Sequence, residues 1–403
     1  MAVAIQHTRL IDGNGQAIER ATLIVRHGAI YAAGPSRLVS IPRGAVRIDG
    51  RGFTVLPGLI DCHVHLCLGA EADVVQAIEQ ETPTETLLKS SQMARQTVEA
   101  GVTTVRDVGS RDHSIFALKQ AIEKGLTAGP RIIGAGLAIC MVGGHARFIG
   151  QEIEGPEQVR KAVRAQIAAG AEVIKVIASG GVLTPGTSPD QAQMTIEELH
   201  AAVDEAQQAG LKVAAHAHGS SGMKNAIRAG VHSIEHATLM DEEAAALMNH
   251  HAVYMVPTLS ALSTTAACRR GCGIPESALE KAKAMTKRHQ ASFKQARRHG
   301  LLIAMGTDAG TPFNFHGENA QELERMVAFG MSPMEAILAS TSSAARLIGI
   351  QETVGTIERG KAADLIVIDG NPLKKIELLR DRSRIMGVMK GGTFVAGPLT
   401  SEA

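Results

Sequence analysis

The sequence predicts an α/β protein, a (β/α)8 TIM-like barrel with a small β-sandwich domain formed by both chain ends. Three observations lead to this fold class. Short apolar runs rich in β-branched residues alternate with longer amphipathic segments. Several of those segments end in "AG" directly before the next apolar run, and both chain ends contain alternating stretches that turn at glycine. Eight strands joined by helical crossovers are typical of such a barrel.

The two chain ends contain hairpin-like sequences. Residues 1–55 include "AIQHTRLIDG", "ATLIVRHGAIYAAG" and "RIDGRGFTV", and residues 355–403 include "GTIERGKAADLIVIDGNPL" and "IMGVMKGGTFVAG". Alternation interrupted by turn glycines is typical of short β-hairpins. We therefore expect both ends to form one small β-domain, with the barrel inserted between them as residues 56–354.

The region between the ends contains eight candidate barrel strands. Among the intervening segments, "TIEELHAAVDEAQQAG" opens with a Thr–Glu capping box, and "PEQVRKAVRAQIAAG" opens with proline and closes with glycine, so both predict helices. "PTETLLKSSQMARQTVEAG" has apolar spacing near 3.6 and also ends at glycine. The eight runs cover residues 56–66, 102–109, 131–139, 172–181, 211–219, 231–238, 252–259 and 301–310.

Polar side chains interrupt or end several of these apolar runs. "LPGLIDCHVHL" ends with His63 and His65, which would point to the same side of a strand because side chains alternate. Functional groups of such a barrel gather at the carboxyl ends of its strands. We therefore expect His63 and His65 to lie close to polar residues of the other apolar runs at that end of the barrel. Those residues are Lys175, His216, His218, His236 and Asp308.

These residue types point to metal chemistry. Imidazole nitrogens and carboxylate oxygens are good ligands for zinc and similar ions, and two neighbouring metals can activate water at neutral pH. Lys175 lies within "VIKVIAS", where a buried cation is costly. It could reach solvent or pair with a carboxylate, or its neutral amine could react with carbon dioxide to give an anionic carbamate ligand. Together with the histidines and Asp308, it favours the carbamate.

Composition narrows the function classes. The net charge of +1 gives no electrostatic case for nucleic acid or membrane surfaces as partners. We expect no secretory signal and no membrane-spanning run. Five scattered cysteines fit a reducing, cytoplasmic location better than a disulfide framework. Cys268 and Cys272 flank "RRG" and could ligate a metal, but the sequence has no second cysteine pair, so we expect them to be thiols without a role.

Several motifs together resemble one known family. "GLIDCHVHL", the mid-barrel Lys175, "HAHG", "IEHAT" and "GTDAG" resemble the amidohydrolase superfamily over nearly the whole chain. "MVGGHA", "SGGVLTPG", "HAHGSSGMKNAIRAGVHSIEHATLMD" and "HGENAQELERMVAFGMSPMEAI" resemble its imidazolonepropionase-related branch. That branch includes prolidase-like and Xaa-Arg or Xaa-Lys dipeptidases.

The resemblance implies roles for the site residues. One buried divalent metal, zinc being the expected ion, would be held by His63, His65 and Asp308. A second, more exposed metal would be held by His216 and His236, and carboxylated Lys175 would bridge the two. A bridging hydroxide would attack the scissile carbonyl, with Asp308 as general base and then acid. The metals would polarise the carbonyl and stabilise the oxyanion. The resemblance also implies a homo-oligomer.

Four further residues are candidates for substrate contact. His145 could donate a hydrogen bond to the carbonyl or to a substrate carboxylate, and is also a candidate catalytic residue. His218 shares a strand face with His216 and could line the pocket. Some prolidase-like relatives carry tyrosine there, so this departure leaves proline specificity open. Arg147 could bind a carboxylate or be a solvated loop residue, and His316 could touch substrate or cap the next helix.

The leading hypothesis is a binuclear metal-dependent hydrolase that cleaves an amide or peptide bond of a small substrate, with a dipeptide as first choice. The same site could open a cyclic amide, or cleave an N-acyl amino acid or a carbamate-type xenobiotic. A barrel that binds a small ligand without turnover is the alternative from another class. The presence of all six ligand candidates argues against it, and Lys175 argues against a mononuclear deaminase.

Overall fold

The computed structural model describes residues 2–401, and it confirms the predicted fold class. A barrel of parallel strands is joined to a mainly antiparallel sheet formed by both chain ends. The strands are β1 (Ala2–Ile11), β2 (Ala17–Arg26), β3 (Ala29–Pro35), β4 (Val46–Asp49), β5 (Phe53–Pro57), β6 (Leu59–Val64), β7 (Val102–Asp107), β8 (Arg131–Gly134), β9 (Ala138–Met141), β10 (Gly150–Ile153), β11 (Val173–Ile177), β12 (Lys212–Gly219), β13 (Ser233–Leu239), β14 (Tyr254–Val256), β15 (Leu365–Asp369), β16 (Ile385–Lys390) and β17 (Thr393–Ala396).

Helices follow most of the barrel strands. Three of them match the strongest sequence signals: α2 has a capping box and proline in its first turn, α4 starts at proline and ends at the left-handed Gly170, and α5 has the predicted capping box. The helices are α1 (Val74–Gln80), α2 (Pro83–Glu99), α3 (Ser114–Glu123), α4 (Pro156–Ala169), α5 (Ile196–Gln208), α6 (Ser220–Ala229), α7 (Glu242–His250), α8 (Leu259–Ala267), α9 (Glu276–Arg298), α10 (Gln321–Ala328), α11 (Pro333–Ala339) and α12 (Ser342–Ile348).

The sheet of the chain ends has the strand order β17-β16-β15-β5-β1-β2-β3, and β4 also pairs with β1. Each of its eight strands contributes buried apolar side chains to one core, which includes Leu23, Val55, Val367 and Phe394. The β1 strand pairs with β5, and β5 leads directly into β6 of the barrel. The two chain ends therefore share a core beside the first barrel strand.

Two barrel strands differ from the sequence prediction. The third run divides into β8 and β9, because "RIIGAGLAI" contains Gly136 in a left-handed conformation (φ 72°). The eighth run, residues 301–310, is not a continuous strand. It makes single bridges from Ile303 to Met255 and from Ala309 to Val64, so it still closes the barrel between β14 and β6. Asp308 lies in this segment with φ 61°, and its N–H donates to the carbonyl of His63.

The expectation for Cys268 and Cys272 was wrong, because these residues form a disulfide in the structure. Cys268 ends α8, and a turn in which the N–H of Cys272 donates to the carbonyl of Arg269 brings the two sulfurs together. The other three cysteines are buried free thiols. Within residues 2–401, none of the helices combines the length and the apolar character needed to cross a membrane.

Candidate active site

One cavity at the carboxyl end of the barrel collects the predicted metal ligands. Each of the six predicted ligand residues is at most 9% exposed. They come from the ends of β6, β11, β12 and β13 and from the segment that closes the barrel. The cavity is lined by all six candidates, His63, His65, Lys175, His216, His236 and Asp308, together with His145 and His218.

The first donor set consists of His63, His65 and Asp308, whose candidate ligand atoms lie within 4.8 Å of one another. Oδ1 of Asp308 lies 3.5 Å from Nε2 of His63 and 3.4 Å from Nε2 of His65. The other ring nitrogen of His65 lies 2.8 Å from the carbonyl of Gly109, which can only accept. Nδ1 of His65 therefore carries a proton, and Nε2 is the nitrogen that faces Asp308.

The pKa values of His63 and Asp308 suit the first donor set to binding a cation. Burial lowers the pKa of His63 to about 4, so its ring is neutral at pH 7. Burial alone would raise the pKa of Asp308, but the neighbouring rings of His63 and His65 and the amine of Lys175 lower it to about 2. An ionised carboxylate beside neutral imidazoles is the ligand set that divalent metals prefer.

The second donor set consists of His216, His218 and His236, again with candidate ligand atoms within 4.8 Å of one another. Nδ1 of His216 lies 2.9 Å from Nε2 of His236, so these two nitrogens face each other. Burial and the neighbouring rings lower the pKa of all three histidines well below the usual value. The other ring nitrogens of His218 and His236 lie within 2.8 Å of hydroxyls of Thr238 and Thr258.

Lys175 lies on β11 and lines the same cavity as both donor sets. It is 2% exposed, and its Nζ has no hydrogen-bond partner among the described residues. Burial lowers the pKa of Lys175 to about 8. A buried amine without an acceptor is costly as a cation, so the neutral form is accessible.

A buried ion pair supports the first donor set, and the sequence analysis missed it. The side chains of Arg106 and Glu235 are 2% and 0% exposed, and Nη2 of Arg106 lies 2.8 Å from Oε1 of Glu235. The other oxygen of Glu235 lies 2.8 Å from Nδ1 of His63. Arg106 also donates to the carbonyl of Cys62 and to the hydroxyl of Ser233. The pair thereby fixes the ring orientation of His63.

The signal for this pair was present in the sequence. Arg106 interrupts the apolar run "VTTVRDVG", and Glu235 interrupts "VHSIEHAT". A charge inside a predicted buried strand needs a partner, which is the same reasoning that singled out Lys175. The two charges lie on different strands far apart in sequence, so their pairing was not evident from either run alone.

His145 lines the cavity, and its ring centroid lies 4.6 Å from that of His216. Nδ1 of His145 lies 2.8 Å from the hydroxyl of Thr184, in the loop after β11. The same loop contains Gly181, where an added Cβ would lie 2.2 Å from Nε2 of His145. Gly181 therefore leaves the space that the His145 ring occupies.

Two predicted substrate contacts lie outside the cavity. Arg147 is exposed in a short 3-10 helix and does not line the cavity wall. His316 is buried behind the wall, and its Nε2 lies 3.2 Å and 3.1 Å from the carbonyls of His65 and Leu68. His316 therefore supports the loop after β6 in this structure, whereas the sequence suggested substrate contact or a helix cap.

The donor chemistry of the cavity fits a metal centre. Two histidine sets, one with an ionised carboxylate, face one space together with a buried amine that has no hydrogen-bond partner within residues 2–401. In the first set, Gly109 and Glu235 orient the histidines through their outer nitrogens, as such partners do at metal sites. The residues present therefore suit divalent cations.

Comparison with known proteins places the chain in a family. Residues 54–395 match the model of the amidohydrolase family. The chain is 32% identical to ochratoxinase from Aspergillus niger, covering 96% of this chain and 85% of that protein. It is 24% identical to imidazolonepropionase from Rhizobium rhizogenes, covering 87% of each.

Solved structures agree with this placement. The crystal structure of a Xaa-Pro dipeptidase with methionine bound in its active site superposes with a TM-score of 0.92 at 37% identity, covering 98% of this chain and 100% of that one. The candidate His and Asp groups and these relatives together support a metal-dependent amide hydrolase. The chain therefore belongs to the amidohydrolase family and is a hydrolytic enzyme of its prolidase-like branch.

Proposed function

We propose that this enzyme hydrolyses the amide bond of a small substrate, with a dipeptide as first choice, and that it holds two divalent metal ions. The observation that carries the proposal is the buried, unpartnered Nζ of Lys175 in the cavity that both donor sets line. A neutral Nζ can add to carbon dioxide, forming an N–C bond and releasing one proton. The resulting carbamate replaces a costly buried cation with anionic oxygens that suit metals.

The chain's donor sets assign the ligands. His63, His65 and Asp308 would hold one ion, and His216 and His236 would hold the other, with carboxylated Lys175 shared between them. When bound, the metals supply Lewis acidity towards the amide carbonyl. Zinc is our choice for both ions because imidazole and carboxylate ligands suit it.

Asp308 and His145 supply the proton and orientation functions. The carboxylate of Asp308 is ionised at neutral pH, so it can accept a proton and later return it to the leaving amine. Burial lowers the pKa of His145 to about 3, so its ring is neutral. With Nδ1 held by Thr184, its Nε2 side is available to orient a substrate oxygen. His218, whose ring stacks on that of His236, forms the adjoining wall.

A non-peptide amide is the second candidate substrate. The similarity to ochratoxinase over most of both chains favours a small substrate other than a dipeptide as this alternative, and an N-acyl amino acid, a cyclic amide and a carbamate are its three forms. The metal site would be the same for all of these substrates. The choice among them depends on the loops that surround the ligands.

The proposal is tested by measuring metal per chain by elemental analysis, together with release of free amino acids from a mixed dipeptide library. About two zinc ions per chain with release from a subset of dipeptides would support it. Two metals with turnover only of N-acyl amino acids would move the assignment to the second candidate. A protein that binds no metal and cleaves no amide would contradict the proposal.

A further inference from the structure

We propose that the substrate carries an apolar, uncharged group next to the scissile amide, and that the cavity discriminates against cationic side chains. This inference rests on the proposed amide hydrolysis and specifies its substrate class. It comes from the part of the cavity wall that holds no metal-ligand candidate.

That part of the wall is apolar and built from three separate segments. Val182 and Leu183 belong to the loop after β11, Leu262 lies on α8, and Phe148 and Ile149 follow β9. Leu183 packs against two of the buried apolar clusters, one containing Ile149 and the other Leu262. These side chains therefore form a continuous apolar surface in the cavity that the donor sets also line, which suits an aliphatic or aromatic group.

The wall offers no partner for a substrate cation. Among the described residues that line the cavity, Asp308 is the only one with a carboxylate, and it belongs to the first donor set. Glu235, a buried carboxylate behind the wall, already pairs with Arg106 and His63. An arginine or lysine side chain in this space would lose its hydration without gaining a counter-ion.

A fixed cation adds to this discrimination. Nζ of Lys281 on α9 donates to the carbonyls of Gly181, Thr184 and Thr187, at 3.2, 3.0 and 2.7 Å. Lys281 thus holds the loop that presents Leu183, and it places a positive charge beside the cavity. A second positive charge on the substrate would be repelled from this side.

The first experiment compares kcat/KM of the metal-loaded enzyme for Ala-Leu, Ala-Phe, Ala-Arg and Ala-Lys, and for the reversed pairs Leu-Ala and Arg-Ala. We expect the best apolar substrate to exceed every cationic one by about 100-fold. Equal or faster cleavage of the arginine or lysine peptides would overturn the inference while leaving amide hydrolysis intact.

The second experiment introduces a counter-ion. Leu183→Asp places a carboxylate in the apolar wall, and Leu183→Asn is a matched control of the same size without the charge. We expect the Asp variant to raise the ratio of kcat/KM for Ala-Arg over Ala-Leu at least about tenfold relative to the Asn variant. Equal ratios in two variants with wild-type circular dichroism would contradict the placement of Leu183 against the substrate.

Binding measurements separate this inference from the proposed reaction. Calorimetric titration with reduced-amide analogues of Ala-Leu and Ala-Arg, in which a CH2–NH group replaces the amide, involves no cleavable bond, so it reports on the wall even if no peptide is cleaved. Tighter binding of the leucine compound would support the inference, and tighter binding of the arginine compound would overturn it. Failure to cleave any amide, with selective leucine binding, would contradict only the proposed hydrolysis.

Discussion

The buried pair between Arg106 and Glu235 makes the sharpest stability prediction. Replacing Arg106 with methionine keeps an unbranched side chain but leaves the Glu235 carboxylate without its counter-ion. Removing one partner of a buried ion pair typically costs 3–5 kcal/mol. Glu235 would keep hydrogen bonds from His63 and Ser233. We therefore expect the lower end of that range, a loss of about 3 kcal/mol in the free energy of unfolding.

The loss should depend on pH. Burial alone would raise the pKa of Glu235, but the Arg106 charge and the His63 hydrogen bond hold it below its usual value. In the wild type, the pair therefore stabilises the fold at pH values above the pKa that Glu235 has in the unfolded chain. This contribution is lost as pH falls through the lower pKa that Glu235 has in the folded protein. In the variant, the Arg106 charge no longer opposes the effect of burial, so the folded pKa of Glu235 rises and stability falls as pH rises. The difference between the two proteins should be larger at pH 8 than at pH 5.

The assay is urea unfolding followed by far-ultraviolet circular dichroism, because the sequence has no tryptophan for fluorescence. Arg95→Met is the matched control, since Arg95 forms a 2.8 Å pair with Glu99 on the exposed surface. Its unfolding midpoint should equal that of the wild type. A double variant, Arg106→Met with Glu235→Gln, should recover much of the loss by removing the unpaired charge. A loss below about 1 kcal/mol for Arg106→Met at pH 8 would refute the reasoning.

Two further predictions concern groups around the cavity. Burial raises the pKa of Glu322 to about 7, although its carboxylate accepts hydrogen bonds from Leu259 and Ser260 at the start of α8. Because the folded pKa is raised, Glu322 contributes fully to stability below pH 4.5, its ordinary pKa, and this contribution is lost as pH rises towards 7. Between these pH values the wild-type free energy of unfolding should fall with a slope approaching about 1.4 kcal/mol per pH unit, and Glu322→Gln should lack this fall. Equal slopes in the two proteins would contradict the raised pKa. Gly181→Ala should displace the His145 ring, lowering kcat/KM about tenfold or more with metal content unchanged. Wild-type kinetics in that variant would remove His145 from the site.

Much of the barrel and its donor sets was predictable, because both follow from local periodicity. Side-chain alternation placed His63 beside His65, and the barrel rule placed the ends of β6, β12 and β13 at one mouth. Helix starts were equally accessible because a capping box or a proline acts within one turn. Asp308 was also found, although its segment is not a continuous strand, since "GTDAG" follows an apolar run whichever backbone it adopts.

The remaining features depend on contacts between distant segments. The bond between Cys268 and Cys272 requires the turn after α8, which the sequence analysis did not anticipate. His316 faces backbone carbonyls because the loop after β6 folds over it, and Arg147 is exposed because a short 3-10 helix directs it outward. The direction in which each of these loop side chains points is set by tertiary packing, and a loop motif alone does not encode it.

The most direct test of the proposed metal centre is the metal content of the wild type and of Lys175→Ala, with Lys124→Ala as an exposed control. We predict about two zinc ions per chain in the wild type and in the control. Lys175→Ala should lose bound metal and activity together, because the shared ligand is removed. Incubation with 13C-bicarbonate should also give a carbamate carbon signal in the wild type that the variant lacks. Two retained metals with full activity in Lys175→Ala would contradict the account.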